Sequence, residues 1–315
     1  MKEYAFGIDL GGTTAKVGLF TTAGELLEKW EVPTDTSHSG EHILANLAAA
    51  VRGKMEEKSL SAQQVEGVGV GVPGPVLDSR IVPIVCANLG GWGNRNVAED
   101  LSALLDGLPV LVGNDANVAA LGEIWMGAAR GCRNAVMVTL GTGVGGGVIV
   151  NGKVIDGVHG AGGEIGHIKV KDTHDTPCGC GKRGCLEQYS SATGIVNETK
   201  KFLASSDAPS KLRELETITA KDIFDLAKAG DAVALAQVEE MTRLLGKALA
   251  AVSCVCDPQV IVLGGGVSRA GSIITDNVAK WFREYAFPAS ECTEFALAEL
   301  GNDAGIYGGV QMILG

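Results

Sequence analysis

The chain has 315 residues, enough to bury a sizeable core and to divide into about two domains. It is 46% hydrophobic and 20% charged, as a globular protein is, and its net charge of −11 argues against binding a nucleic-acid backbone or an anionic membrane. The N-terminus lacks the apolar core of a signal peptide and the longest uncharged run, from Ala135, is broken by glycines, so no membrane span is predicted and the cytoplasm is the expected compartment.

From Tyr4, "YAFGIDLGGTTAKVGLF" reads as a strand that ends near Asp9, a turn at Gly11, Gly12, Thr13 and Thr14, and a second strand that starts near Lys16. Thr22–Gly24 turns the chain into a third strand. Glycines after a strand let backbone N–H groups face a phosphate without obstruction, threonine hydroxyls add donors, and Asp9 is placed to hold Mg²⁺ through water. A plain hairpin turn is the competing reading. "EHILANLAAAVRGKMEEK" follows as an amphipathic helix with Ile43, Leu47, Ala50 and Val51 on one face. "VEGVGVGVPG" is a buried strand that ends in a Pro73–Gly74 loop, and Trp92 reads as packed aromatic. "PVLVG" is a strand whose end carries Asn114 and Asp115 before a helix. A carboxylate there suits a general base, and helix capping by Asp115 suits the sequence equally well.

"NAVMVTLGTGVGGGVIVNGKVIDG", from Asn134, repeats the opening plan of strand, glycine-threonine turn, strand, turn and strand. Gly141 stands where Gly11 stood, with Thr142 and Gly143 after it, an internal duplication with a spacing of about 130 residues. Gly141, Gly143 and Gly146 match G-x-G-x-x-G, but the helix of a dinucleotide fold does not follow; a strand and an Asn151–Gly152 hairpin do. Two equivalent hairpins suit two lobes that close on a polyphosphate.

Glu164 and His167 in "GGEIGH" and Glu187 after "CGCGKRGC" are polar residues among glycines and apolar residues, able to accept from ligand hydroxyls, with surface charge the competing reading, above all for Glu187. His167, Cys178, Cys180 and Cys185 make a Cys₃His set, which satisfies tetrahedral Zn²⁺ and leaves no open position, so a structural ion is expected. A redox switch is the rival, though C-x-C spacing strains an internal disulfide. Cys86, Cys132, Cys254, Cys256 and Cys292 read as core, His38, His42 and His174 as surface, and His159 as a turn residue. Thr219–Val255 is helical, opened by a Thr219/Asp222 capping box and broken at Ala229–Asp231. "PQVIVLGGGVS" is a strand that ends at Gly264, Gly265 and Gly266, whose glycines suit an adenine–ribose group lying flat or a tight strand-to-helix turn. The last helix carries Gly305, Gly308 and Gly309, which ease a close crossing back to the first lobe.

"DLGGTTAK", "LGTGVGGG" and "LGGGVS" resemble the phosphate-1, phosphate-2 and adenosine motifs of the sugar kinase/hsp70/actin superfamily, across essentially the whole chain. "GGEIGH" with "CGCGKRGCLE" narrows the resemblance to the ROK family, and within it to the bacterial ATP-dependent glucokinases. The resemblance implies an actin-like α/β fold: two lobes, each a mixed five-stranded sheet flanked by helices. The small lobe is expected at 1–114 with the helix at 303–315, and the large lobe at 115–302 with the zinc loop at 167–187. It further implies that Asp115 takes the proton of the sugar 6-hydroxyl while Mg²⁺-ATP donates its γ-phosphoryl group. Asn114, Asp115, Glu164, His167 and Glu187 would hold the sugar, with Gly74 in the pocket wall. Zinc would take one ring nitrogen of His167 and leave the other to the sugar. The resemblance suggests a homodimer. Kinases for N-acetylmannosamine, N-acetylglucosamine, mannose or fructose are the alternatives. A ROK sugar-sensing repressor is less favoured, because the first motif begins too early to leave room for a DNA-binding domain.

Overall fold

The structure, a computed structural model, describes residues 2–315. Chain order is β1 (Tyr4–Leu10), β2 (Thr14–Thr21), β3 (Leu26–Pro33), α1 (Ile43–Glu57), β4 (Val65–Val72), β5 (Ile81–Cys86), β6 (Trp92–Asn96), α2 (Val97–Leu104), β7 (Val110–Asn114) and α3 (Asp115–Met126). It continues with β8 (Ala135–Leu140), β9 (Val144–Val150), β10 (Lys153–Val154), α4 (Glu187–Ser190), α5 (Ala192–Ser205), α6 (Ala220–Lys228), α7 (Ala232–Cys256), β11 (Val260–Gly264), α8 (Ser272–Tyr285), β12 (Glu294–Leu297) and α9 (Ala304–Leu314). Two compact units result. The first takes the chain up to Gly131 with 152–163 and 299–315, and the second takes 132–151 and 164–298.

The first unit is built on the sheet β3-β2-β1-β4-β7. β1, β2 and β3 run antiparallel, while β4 and β7 add in parallel, which makes the sheet mixed. One face buries Phe6, Ile8, Val68 and Val70 with Ile43, Leu47 and Val51 of α1, the apolar stripe that a 3.6-residue period produces. The opposite face carries α9, and glycine decides how closely. A Cβ on Gly7 or Gly69 would overlap the α9 backbone at Ile306 or Gly309, and one on Gly308 would overlap the Val118 carbonyl of α3. Three elements thus meet backbone to backbone, which explains why α3 belongs to the first unit. The boundary therefore falls at Gly131, later than the expected one after Asn114.

Glu123 of α3 is only 1% exposed, yet its carboxylate is satisfied. It accepts from the N–H groups of Ala128 (2.8 Å), Glu299 (3.2 Å) and Leu300 (2.9 Å). A buried carboxylate is tolerated only with such donors. Here they come from two of the four places where the chain leaves or re-enters the first unit, near Gly131 and at Glu299.

The second sheet runs β10-β9-β8-β11-β12. β8 and β9 pair antiparallel, and β11 lies parallel to both β8 and β12, the plan of the first sheet again. The third strand expected in this half shrinks to the two residues of β10. The core gathers Val136, Val138, Ile261 and Leu263 with Leu244, Leu245 and Leu249 of α7. The capping box is present: Asp222 N–H donates to Thr219 Oγ1 at 3.2 Å, and Thr219 N–H to the Asp222 carboxylate at 2.9 Å. Asp231 then caps α7 through the N–H groups of Val233 and Ala234. Among the described residues no helix is long and apolar enough to cross a membrane.

Two expectations need correction. Cys86 is buried, but Cys254 and Cys292 are exposed and Cys132 and Cys256 half-buried, so an apolar neighbourhood in sequence did not place them in the core. At the end of α7, Cys254 and Val255 fall on the outer face, and 89% of Val255 is accessible. Conversely, the His174 side chain is only 7% accessible, not a surface group, because polar partners surround it.

Candidate active site

Each glycine hairpin is closed by the N–H of its first glycine, and the first turn is one residue longer than the second. Gly11 N–H donates to the Thr14 carbonyl at 3.1 Å, and Gly141 N–H to the Gly143 carbonyl at 3.0 Å. In the first unit, Thr34 Oγ1 fastens the turn to the Gly11 carbonyl at 2.8 Å. Gly12 and Thr13 are exposed at its tip. Asp9 lies beneath, across the strand pair from Lys16. Burial pushes the Asp9 carboxyl above the ordinary carboxylate range, and the Lys16 ammonium opposes that. Lys16 Nζ itself donates to the Asn302 carbonyl at 2.7 Å, at the edge of a cavity of about 450 Å³ lined by Lys29, Glu31 and Asp303.

Asn114 and Asp115 divide the roles that sequence left open. Asn114 is the cap of α3: its Oδ1 accepts from the N–H groups of Ala116 and Asn117 at 3.0 and 3.1 Å. Its Nδ2 donates to the Gly74 carbonyl at 3.1 Å, which fixes the Pro73–Gly74 loop beside the helix start. Asp115 is the first helical residue and exposed, with Oδ1 accepting from Ala116 N–H at 2.8 Å. A helix N-terminus favours a negative charge at that position.

In the second unit the remaining motifs converge. Gly265 adopts φ +81°, and a Cβ there would lie 2.6 Å from the Leu140 carbonyl, so the Gly264–Gly266 loop packs on the strand end that opens the Gly141–Thr142–Gly143 turn. Glu187 reaches the same turn: its Oε2 accepts from Val144 N–H at 3.0 Å, while Oε1 lies 3.6 Å from Cys178 Sγ. That tie between the phosphate-type hairpin and the cysteine loop has no signal in the sequence.

His167, Cys178, Cys180 and Cys185 present ligand atoms that all lie within 4.8 Å of one another. Cys180 and Cys185 Sγ are 3.6 Å apart, as are Cys178 Sγ and His167 Nδ1. The edges of a tetrahedron with Zn–S and Zn–N bonds of about 2.3 and 2.0 Å are roughly 3.5–3.8 Å, so the donor set fits the ion. The other ring nitrogen, Nε2, lies 3.8 Å from Glu164 Oε2. Burial, then the neighbouring Cys180 and Cys178, push the Cys185 thiol up to about 12, whereas the Lys182 backbone N–H draws Cys180 down. Three sulfurs packed together favour a cation that stabilises their thiolates.

The family model described as the ROK family matches residues 5–315. The chain belongs to the ROK family. It is 41% identical to a glucokinase of Halalkalibacterium halodurans over 96% of this chain and 92% of the relative. It is similar to the crystal structure of a ROK hexokinase from Thermus thermophilus, with 33% identity, a TM-score of 0.82, and coverage of 98% of this chain and 97% of the other. A ROK family glucokinase from Streptomyces griseus, solved in complex with glucose and AMPPNP, matches at 34% identity and a TM-score of 0.76 over 98% of each chain. The actin-like fold of this ROK chain, two mixed five-stranded sheets flanked by helices, agrees with those neighbours.

Sequence reasoning also missed a polar pair of the first unit, a buried Asn117 and a half-buried Asp156. Asn117, one turn into α3, donates through Nδ2 to Asp156 Oδ1 at 3.1 Å, and burial raises the Asp156 carboxyl. Neither residue belongs to a recognisable motif, and 39 residues separate them.

Proposed function

We propose that the chain transfers the γ-phosphoryl group of ATP to the 6-hydroxyl of glucose, with Asp115 as general base. It is a hexokinase-type phosphotransferase, and the observation that carries the glucose reading is 41% identity to a glucokinase over nearly the whole of both chains. Asp115 accepts the sugar proton as the 6-hydroxyl attacks. Asn114 fixes the start of α3 and so the place of that carboxylate. Glu164, His167 and Glu187, with Asn114 and the Gly74 loop, hold the sugar hydroxyls; acceptors at fixed positions reject sugars that lack the matching hydroxyl. The backbone of Gly11, Gly12 and Thr13, the Thr14 and Lys16 side chains, and Gly141, Thr142 and Gly143 cradle the phosphates. Gly264–Gly266 receive the adenosine.

Asp9 would hold Mg²⁺ through water, and the ion would supply positive charge against the phosphates during transfer. Little covalent work is then asked of the protein beyond one base and accurate positioning. His167, Cys178, Cys180 and Cys185 would hold a structural Zn²⁺; the other ring nitrogen of His167 and Glu164 would then be left to the sugar, and Glu187, two residues past Cys185, would be fixed. A homodimer and a cytoplasmic location complete the reading.

The deciding experiment follows ADP release with Mg-ATP across glucose, mannose, fructose and the N-acetyl hexosamines, with Asp115→Ala in parallel. We expect glucose to be preferred and Asp115→Ala to lose roughly 10²–10⁴-fold in kcat while it stays folded. A preference for an N-acetyl sugar would overturn the substrate and leave the base. An active Asp115→Ala enzyme would overturn the base.

A further inference from the structure

The cysteine loop is gripped from behind by side chains that are not ligands. Gln188, the second residue of α4, uses both ends of its amide. Its Oε1 accepts from Gly184 N–H at 2.8 Å and Cys185 N–H at 3.3 Å. Its Nε2 donates to the Thr176 carbonyl at 2.8 Å and lies 2.9 Å from His174 Nδ1. One side chain therefore joins the strand of chain that enters Cys178 to the strand that contains Cys185.

Its partner is itself fixed. His174 is held at both ring nitrogens: Nδ1 lies 3.2 Å from Thr176 N–H and 3.0 Å from the Thr176 carbonyl, and Nε2 lies 3.4 Å from Glu198 Oε1 and 3.3 Å from Lys201 Nζ. The ring meets Tyr189 edge to face, and the Tyr189 hydroxyl donates to the Thr173 carbonyl at 2.9 Å. Arg183 crosses back to the carbonyls of His174 (2.6 Å) and Asp175. Apart from the local Thr176–His174 contact and the two N–H groups on Gln188 Oε1, these contacts join residues 173–176 to residues 183–201, and the ligands Cys178, Cys180 and Cys185 sit at or between these anchors.

We propose that Gln188, seated on His174, is a positioning residue that shapes the cysteine loop for its zinc before the ion arrives; this rests on the zinc reading above. A loop held in its bound shape has less conformational entropy to lose on binding, and partners behind the ligands typically change metal affinity by about 10–100-fold. Chemistry singles out glutamine. Two N–H groups lie on one side and the Thr176 carbonyl on the other, which requires an acceptor and a donor in one planar group of this length. Glutamate keeps the first half and loses the second; leucine loses both.

The test uses the full-length parent, Gln188→Glu and Gln188→Leu. Zinc content and zinc affinity are read by competition with a chromophoric chelator, and hydrogen exchange at Gly184 and Cys185 is followed in the metal-free proteins. We expect Gln188→Leu to bind zinc about 10–100-fold more weakly, Gln188→Glu to fall between it and the parent, and the two amides to exchange faster in Gln188→Leu. Excess zinc should return kcat and the glucose KM to parental values. Equal zinc affinity in all three proteins would overturn the inference and leave the zinc reading standing, whereas a parent without zinc would overturn both. A defect in both variants that excess zinc does not repair would also overturn it, because Gln188 would then support the fold rather than the metal loop.

Discussion

Gly11–Thr13 and Gly141–Gly143 turn equivalent pairs of antiparallel strands, and each pair continues into a parallel strand, β4 or β11. What stands behind the turns differs. The first rests on covalent neighbours and the sheet: Thr34 fastens its carbonyl, Asp9 and Lys16 face each other across the strands, and α9 presses on β1 through Gly7. The second is fastened from outside by Glu187, which sits two residues past Cys185 and beside Cys178. One plan of duplication has thus acquired an electrostatic support in one half and a side-chain strut from the cysteine loop in the other. The first hairpin should therefore answer to pH and charge, and the second to the cysteine loop.

The largest effect should come from the cysteine loop. Cys180→Ser removes one of four ligands, so zinc and activity should fall together, with the hairpin strut loosened as Glu187 loses its anchor. Zinc analysis and the ADP-release assay on one preparation check this. A zinc-free Cys180→Ser protein with full activity would separate the loop from catalysis and break the contrast.

A smaller kinetic loss is expected at the first hairpin, with a distinctive stability signature. The Asp9 carboxyl is raised by burial, so its ionised form costs the folded state free energy. Below the ordinary carboxylate pKa, near 3.8, both states are protonated and the cost is absent; it grows as pH climbs through the raised folded value. Asp9→Asn carries no charge. It should therefore lose roughly 10²-fold in kcat, yet melt at a higher temperature than the parent at pH 7 without added nucleotide or Mg²⁺, and the gain should shrink toward pH 4. A gain equal at both pH values would show that charge is not its source.

Legibility followed the range of the interactions. The hairpins could be read because strand, glycine turn and strand are contiguous, and the Thr219/Asp222 box because its bonds span three residues. The Cys₃His set could be read because ligand type carries its own chemistry. The first-unit boundary could not: α3 is held there by glycine contacts such as Gly122 with Ala304 and Gly308 with Val118, some 180–190 residues apart. Glu123 could not either, since its donors at Glu299 and Leu300 are equally distant in sequence. His174 looked like surface because nothing near it in sequence announces Gln188, Glu198 or Tyr189 as neighbours. The assignment of the cap to Asn114 rather than Asp115 needed backbone geometry that composition does not carry.

The finest cut lies inside the second turn. A Cβ on Gly143 would overlap the Glu187 carboxylate, whereas one on Gly141 meets nothing within 4 Å. Neither glycine has positive φ, so backbone strain does not separate them. Gly143→Ala must push Glu187 away from Val144 N–H, which leaves that donor to seek another partner and the strut broken, at a cost of about 1–3 kcal/mol where the group stays buried. Gly141→Ala should change stability by less than about 0.5 kcal/mol and leave Glu187 in place. Denaturant midpoints and the zinc off-rate of both variants decide the matter. If Gly143→Ala releases zinc faster and Gly141→Ala does not, the hairpin and the cysteine loop are mechanically one. If the two behave alike, Glu187 merely rests against the turn, and the second hairpin stands by its own backbone as the first does.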